Sequence, residues 1–219
     1  MDNSSDYTLS IPKNELPALP AEHYAGTIKV VESLDEIDEA VGYLNSFDIL
    51  GFDTETKPTF KRGQSNNMAL IQLSGGERCY LFRICKIGIP KKLSSILENK
   101  RILKVGASVH DDFHGLAKVG ECAPCNFLDI QQYVKKFRIE DNSLSRIYAI
   151  VFGKRISKNQ QKTNWEAETL TPAQQAYAAL DARACVLIYD YLSSGKFSPE
   201  DSIYKKYPEP EKEKNETQD

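Results

Sequence analysis

The first feature of this 219-residue sequence that suggests chemistry is a pair of acidic residues at the end of an apolar stretch. Asp53 and Glu55 follow residues 49–52, and their two-residue spacing puts both side chains on one face of a strand. Two carboxylates at the end of a buried strand repel each other unless a positive charge lies between them, and divalent cations prefer oxygen ligands. The pair therefore indicates a metal site, while an acidic start of an ordinary surface loop is the alternative.

A third acid lies on a helix that we predict between about residues 109 and 119. Asp112 is at the edge of the apolar stripe of this helix, whereas Asp111 lies on the opposite side and faces away. We therefore expect Asp112 to point toward the sheet. His110 and His114 have a spacing of four residues that permits metal binding, but we expect them to flank the basic, substrate-facing side or to be plain surface residues.

A tyrosine and a fourth acid share one face of the last helix. Tyr177 and Asp181 are four residues apart, and the alanines around them allow close approach to a sheet. On their own they also fit a plain surface pair.

The elements that must position these residues alternate along the chain. Apolar runs and turn residues predict strands at 27–31, 47–54, 68–73, 79–82, 102–105 and 127–130. Helical periodicity predicts helices at 34–44, 90–97, 109–119, 130–137, 143–152 and 172–193. Thr171, Pro172 and Gln174 are typical of a helix start. The pattern predicts an α/β protein with a mixed sheet flanked by helices.

The ends of the chain differ from its middle in composition. Residues 1–26 contain three prolines and read as an arm, residues 27–195 as the folded domain, and residues 196–219 as a polar, disordered tail. The start of the chain has no signal-peptide pattern and no apolar run is long enough to cross a bilayer, so we expect a cytoplasmic protein without a membrane partner.

Charge is distributed unevenly. The whole chain carries a net charge of −3, but residues 57–162 contain 20 Lys and Arg against 8 Asp and Glu. An excess of +12 in the middle segment indicates an anionic partner, or simply a basic surface that balances acidic flanks.

Five cysteines without a secretion signal are expected to be reduced thiols. Cys122 and Cys125 have the spacing of half a zinc site, but a structural zinc site needs two further ligands. We therefore do not predict zinc.

Taken together, the acids and their surroundings resemble one known family. Three segments carry the resemblance: 50–55 with 69–73 and 79–82; 105–106 with Asp112; and 164–165 with 170–182. They are similar to the motifs of the DEDDy branch of DnaQ-like 3′–5′ exonucleases, above all Werner-type exonuclease domains, and the resemblance covers about residues 27–195. Ribonuclease D catalytic domains are related.

The resemblance implies a ribonuclease H-like fold and hydrolysis with two divalent cations, Mg²⁺ with Mn²⁺ as a substitute. In the family pattern Asp53 holds both ions, Glu55 and Asp181 complete the site of one, and Asp112 acts on the other through water. Tyr177 orients the attacking water.

The basic middle segment then has a use as a phosphate-binding surface. Trp165 before the last helix could stack a base, but a lone Trp before a helix is more often a core residue. The candidate nucleic-acid contacts are Lys57, Lys61, Arg62, Lys154, Arg155, Lys158, Lys162 and Trp165.

We expect the substrate to be nucleic acid with a free 3′ end, single-stranded or recessed duplex DNA before RNA. Any helicase that acts with it would be a separate protein. The alternatives are a non-catalytic nucleic-acid-binding module on the same fold and an RNA-trimming enzyme like ribonuclease D. The sequence does not indicate an oligomeric state.

Overall fold

The computed structural model describes residues 6–59, 63 and 65–208, and its centre is a six-stranded mixed sheet. The strands of this sheet are β2 Thr27–Val31, β3 Ile49–Thr56, β4 Met68–Gly75, β5 Arg78–Phe82, β6 Leu103–Gly106 and β7 Phe127–Asp129. Two further strands, β1 Thr8–Leu9 and β8 Lys205–Lys206, form a separate two-stranded sheet. The sheet order is β2-β5-β4-β3-β6-β7. Strands β3, β4 and β5 form antiparallel pairs, and the outer pairs are parallel.

Helices cover both faces of this sheet. They are α1 Ile37–Leu44, α2 Ile84–Ile87, α3 Lys91–Leu97, α4 Val109–Val119, α5 Ile130–Tyr133, α6 Leu144–Phe152 and α7 Pro172–Ser193. The predicted α/β class with a mixed, helix-flanked sheet is confirmed. The short helix α2 and the strands β1 and β8 were not predicted, since segments of two to four residues carry little periodicity.

The long helix α7 begins where the sequence predicts. The Thr171 hydroxyl accepts a hydrogen bond from the Gln174 amide at 3.2 Å, and the Gln174 side-chain oxygen accepts one from the Thr171 amide at 3.0 Å. Pro172 occupies the first helical turn, where its missing N–H leaves no bond unmade. This reciprocal cap fixes the helix start and so the register of every later residue on α7.

Close contact between α7 and β3 depends on a glycine. A Cβ at Gly51 would lie 2.0 Å from the Ala182 carbonyl oxygen, so no side chain fits there. Three alanines of α7 are buried against the same face of the sheet: Ala178, Ala179 and Ala182. The small side chains bring the α7 backbone near the strand that carries Asp53.

The N-terminal arm lies over the domain. Leu9 and Ile11 have no exposed surface and belong to a core cluster with residues of α6 and α7. Strand β1 pairs with β8, and the Leu9 amide donates to the Arg138 carbonyl at 2.7 Å. The arm is thus held by burial and backbone bonds.

The expectation of a disordered tail from residue 196 is wrong for residues 196–208. These residues include β8, and Phe197 and Tyr204 pack against the same core cluster as the arm. Two aromatic side chains in a mostly polar segment supply the apolar contact that the composition hides. Residues 209–219 lie outside the described part.

The helices of residues 6–59, 63 and 65–208 include no span that is both long and apolar enough to cross a bilayer.

Candidate active site

Three carboxylates meet where β3 ends beneath α7. Asp53 and Glu55 come from β3 and Asp181 from α7, and one oxygen of each lies within 4.8 Å of the others. Glu55 and Asp181 are buried, and Asp53 is partly buried. The alternation of the strand puts the two β3 acids on the α7 side, as the spacing predicts.

The fourth predicted acid reaches this group from α4. One Asp112 oxygen accepts a hydrogen bond from the Thr54 hydroxyl. Its charge raises the pKa of both Asp53 and Glu55, so it lies within electrostatic range of them. Asp111 is exposed, which confirms that Asp112 is the inward acid of this helix. We call Asp53, Glu55, Asp112 and Asp181 the acid cluster.

Burial and mutual repulsion favour protons on the acid cluster. Burial raises the pKa of the Asp53 carboxyl well above its usual value, and the other three acids raise it further. Burial and then the charges of Asp181 and Asp112 raise the pKa of Glu55 to about 9. Burial raises the pKa of Asp112 to about 7, against the lowering effect of the Thr54 hydrogen bond.

Asp181 has the same tendency with two groups opposing it. Burial raises its pKa to about 7, while a hydrogen bond from the Tyr177 hydroxyl and the charge of Lys158 lower it. All four carboxyl groups of the acid cluster thus have raised pKa values, because they are buried together and no positively charged side chain belongs to the cluster.

The donor set fits divalent cations. All four groups offer carboxylate oxygens, which hard cations such as Mg²⁺ and Mn²⁺ prefer. One oxygen each of Asp112 and Asp181 is buried without a hydrogen-bond partner among the described residues. A bound cation would satisfy these oxygens and cancel the repulsion, so the residues fit the metal that the resemblance implies.

Tyr177 stands at the edge of the acid cluster. It lies on the same face of α7 as Asp181, is partly buried, and its ring centroid is 6.1 Å from that of Trp165. Burial and then the charges of Asp181 and Glu55 raise the pKa of its hydroxyl. The phenol therefore stays protonated at neutral pH and can donate a hydrogen bond.

A cavity of about 250 Å³ opens onto Asp53, Glu55 and Asp181 of the acid cluster. Loops that follow β6 and β7 form one wall, in which the Gln131 side-chain amide donates to the Ser108 hydroxyl at 2.6 Å and to the Asn142 carbonyl at 2.7 Å. These polar residues were not predicted, because they belong to no motif. Ser108 has a φ of +62°, a conformation that is uncommon for residues other than glycine and that the sequence does not predict.

Lys158 is the cation of the predicted basic loop that lines this cavity. Its Nζ donates to the Ser143 hydroxyl at 2.9 Å, and its charge acts on Asp181. An ammonium group beside a polar cavity is suited to an anionic ligand.

Two other predicted phosphate contacts serve a different purpose. Lys154 Nζ lies 2.9 Å from a Glu22 carboxylate oxygen, and the Arg155 guanidinium donates to the Leu19 carbonyl at 3.1 Å. Both side chains hold the N-terminal arm, whose contact with this loop the sequence did not reveal. That they bind phosphate stays a prediction.

The remaining candidates have mixed outcomes. Lys57 pairs with Glu166 at 3.0 Å on the surface, and Lys162 is exposed. Lys61 and Arg62 lie outside the described residues. Trp165 is 0% exposed and belongs to the core beneath α7, so the base-stacking role is wrong and the core alternative is right.

Cys122 and Cys125 are partly buried. Within the described ranges, the group of three or more His, Cys, Asp or Glu side chains close enough to share an ion is the acidic one at β3 and α7. His110 and His114 are exposed on α4 and do not join it.

The fold and acid cluster define a nuclease-type domain, and comparison with known proteins names the family. Residues 28–195 match the family model described as 3′–5′ exonuclease, and the chain belongs to this family.

Among its relatives is the mouse bifunctional 3′–5′ exonuclease/ATP-dependent helicase WRN, 33% identical over 157 residues. That match covers 69% of this chain but 11% of the relative, so the chain spans only a small part of that protein.

Two solved structures show the same fold. The Nibbler exonuclease domain of Aedes aegypti aligns with a TM-score of 0.66 at 22% identity, covering 88% of this chain and 95% of that one. Escherichia coli RNase D, an exoribonuclease involved in structured RNA processing, aligns with a TM-score of 0.68 at 24% identity over 77% of this chain and 44% of that one. The predicted family and ribonuclease H-like fold are confirmed.

Proposed function

We propose that residues 27–195 form a catalytic domain that removes nucleotides from the 3′ end of nucleic acid with the help of two divalent cations. The observation that carries the proposal is that Asp53, Glu55 and Asp181 meet at one open cavity. Asp112 lies beside them on the Thr54 hydroxyl, and one oxygen each of Asp112 and Asp181 is buried without a partner among the described residues. Every acid of the family pattern is present, which favours an active enzyme over a non-catalytic binding module.

The reaction is hydrolysis of the terminal phosphodiester. A water oxygen attacks phosphorus, the bond to the 3′ oxygen of the preceding nucleotide breaks, and that oxygen takes up a proton. Bound cations would stabilise the attacking and leaving oxygens and help to ionise the water. We assign Asp53 as the ligand shared by two cations, with Glu55 and Asp181 on one side and Asp112 acting through water on the other.

Tyr177 positions the water in this proposal. Since burial and the neighbouring carboxylates raise the pKa of its hydroxyl, it acts as a neutral hydrogen-bonding group and does not serve as a phenolate base. Lys158, which also lines the cavity, would hold a phosphate oxygen of the substrate.

We propose DNA with a free 3′ end, single-stranded or recessed in a duplex, as the preferred substrate. The support is the resemblance to Werner-type exonuclease domains, which degrade DNA, together with the 33% identity to mouse WRN over 157 residues. RNA is the second candidate because the fold is shared with that exoribonuclease.

The test is a cleavage assay on 5′-labelled oligonucleotides: single-stranded DNA, recessed duplex DNA and RNA of one sequence, with Mg²⁺, Mn²⁺ or EDTA. We expect a ladder that shortens from the 3′ end, requires metal, and forms fastest on DNA. A phosphate-blocked 3′ end and Asp53→Asn are the matched controls. Cleavage in EDTA, or by Asp53→Asn at the wild-type rate, would overturn the metal mechanism, and faster cleavage of RNA would reverse the substrate assignment.

A further inference from the structure

A glutamine in the middle of the sheet has no visible reason for its position. Gln72 on β4 is 0% exposed, and neither its side-chain nitrogen nor its oxygen has a hydrogen-bond partner among the described residues. Burying an amide without partners costs free energy, and an apolar side chain of similar volume would fill the same space without that cost. Such a group in a folded protein calls for an explanation other than packing.

The register of the sheet places Gln72 beside the acid cluster. Gln72 is paired directly with Asp53 of β3 on one side and with Leu81 of β5 on the other. Directly opposed residues of an antiparallel pair point to the same face, with Cβ atoms about 4.5–5.5 Å apart. The long side chain of Gln72 is therefore within reach of the Asp53 carboxylate.

No other acid of β3 has this relation to the amide. Glu55 is paired with Leu70, and Gly51 is paired with Ser74. The alanines of α7 that cover the face with Gln72 offer no side-chain donor or acceptor, and the α7 acid Asp181 belongs to the acid cluster around Asp53. Asp53 is thus the partner that the register offers to the amide.

We propose that Gln72 is a positioning residue for Asp53: its side-chain N–H donates to the Asp53 carboxylate when that carboxylate holds a cation. This rests on the proposed function, because it requires that the acid cluster bind metal. A carboxylate shared by two cations must keep one orientation, and hydrogen bonds from behind a ligand commonly change metal affinity by about 10–100-fold. The Gln72 side-chain amide would then have a hydrogen-bond partner in the metal-bound state and none in the metal-free state.

The test is Mn²⁺ titration of the full chain by electron paramagnetic resonance, together with thermal unfolding in EDTA. The variant is Gln72→Met, which keeps the volume and removes the amide. Ser74→Ala is the matched control for loss of a buried polar group on the same face of β4, and Leu81→Val is the control for altered packing beside Gln72. Asp53→Asn reports on the metal site itself.

We expect Gln72→Met to weaken Mn²⁺ binding by about 10–100-fold while its metal-free Tm equals or exceeds that of the wild type. Both control variants should bind Mn²⁺ like the wild type. Unchanged affinity in Gln72→Met, or an equal loss in Leu81→Val, would overturn the positioning role alone. Absence of Mn²⁺ binding by the wild type would overturn the metal site and this inference with it.

Discussion

The two faces of the central sheet differ in the size and polarity of their side chains. The face toward α1, α3 and α4 is filled by large apolar side chains such as Phe52, Leu73 and Phe82, all without exposed surface. The face beneath α7 combines small and polar residues, among them Gly51, Asp53 and Gln72, with apolar residues such as Leu70 and Leu81, and alanines of α7 cover it. Adjacent residues of the same strands thus enter very different environments.

One face of the sheet thus mainly stabilises the fold, whereas the other carries the candidate active site. Burial of the apolar face stabilises the fold, and its rings pack in defined geometry: Phe52 and Phe127 meet edge to face with centroids 5.0 Å apart. The α7 face contains repelling carboxylates and unpartnered polar atoms, which destabilise a fold in the absence of ligand. Natural proteins commonly violate packing rules at functional sites in this way.

The largest contrast is expected between the neighbours Phe52 and Asp53. Asp53→Asn should abolish cleavage, since it removes the shared metal ligand, and should raise the metal-free Tm because it relieves repulsion in the acid cluster. Phe52→Ala should destabilise the fold by about 3–5 kcal/mol and keep measurable cleavage at low temperature. Urea unfolding in EDTA and single-turnover cleavage measure both effects. The comparison fails if Asp53→Asn unfolds more easily than the wild type.

The next effect concerns Tyr177, which belongs to the α7 face but holds no metal in our proposal. Tyr177→Phe should lower the single-turnover rate by about 10²–10⁴-fold, because a positioned hydrogen-bonding group is lost in the transition state. Its Mn²⁺ affinity should fall less than its rate, because the lost hydrogen bond to Asp181 leaves every carboxylate ligand in place. Asp181→Asn is the matched variant on the same helix face, and it should lose both rate and affinity. A wild-type rate in Tyr177→Phe would show that another group orients the water.

A smaller effect is expected from pH. The folded pKa values of Asp181, about 7, and Glu55, about 9, exceed the unfolded values of about 4, so the folded state binds protons more tightly. The stability from these groups is complete below about pH 4 and is lost as the pH rises toward about 9. The metal-free Tm should therefore fall across this window, while the stabilisation by added Mn²⁺ should grow because metal competes with protons.

Calorimetry in EDTA and in Mn²⁺ at several pH values measures this trend. The Asp53→Asn variant is the control, and its metal-free Tm should depend less on pH because one repelling carboxyl is absent. A metal-free Tm that is flat across the window would contradict the raised pKa values.

Local rules were sufficient to predict the elements that carry the acids. The cap at Thr171 and the periodicity of the following residues predict a helix at 172–193, the bounds that α7 has. Helical geometry separates Asp112 from Asp111, and strand geometry puts Asp53 and Glu55 together. These features depend on neighbours a few residues apart, which a single sequence displays.

Contacts between distant segments were not predictable in the same way. Leu9 and Ile11 are buried against elements more than a hundred residues away, and nothing in the first 26 residues identifies that partner. The same arm supplies Glu22 to Lys154 and the Leu19 carbonyl to Arg155, so a loop that is basic in sequence is partly neutralised in the fold. The charge pattern predicted a basic surface but not which cations were engaged.

The smallest expected effect distinguishes the lysine of the basic loop that faces the cavity from the lysine that is paired with the N-terminal arm. Lys158 lines the cavity, whereas Lys154 is paired with Glu22 of the arm, so the two lysines form a matched pair. Lys158→Ala should weaken binding of single-stranded DNA by less than about tenfold and reduce the slope of log K against log salt by about 0.7, the value for one phosphate contact. Lys154→Ala should leave the slope unchanged and lower stability by at most about 1 kcal/mol, as for an exposed ion pair.

Fluorescence anisotropy in EDTA measures the binding of both variants without cleavage. Lys162→Ala serves as an additional control, because Lys162 is exposed in the same loop but does not line the cavity. Equal salt slopes for Lys158→Ala and the wild type would remove Lys158 from the binding surface. A reduced slope in Lys154→Ala would mean that Lys154 leaves Glu22 when nucleic acid binds, in which case the arm takes part in substrate binding and the loop is basic in function as well as in sequence.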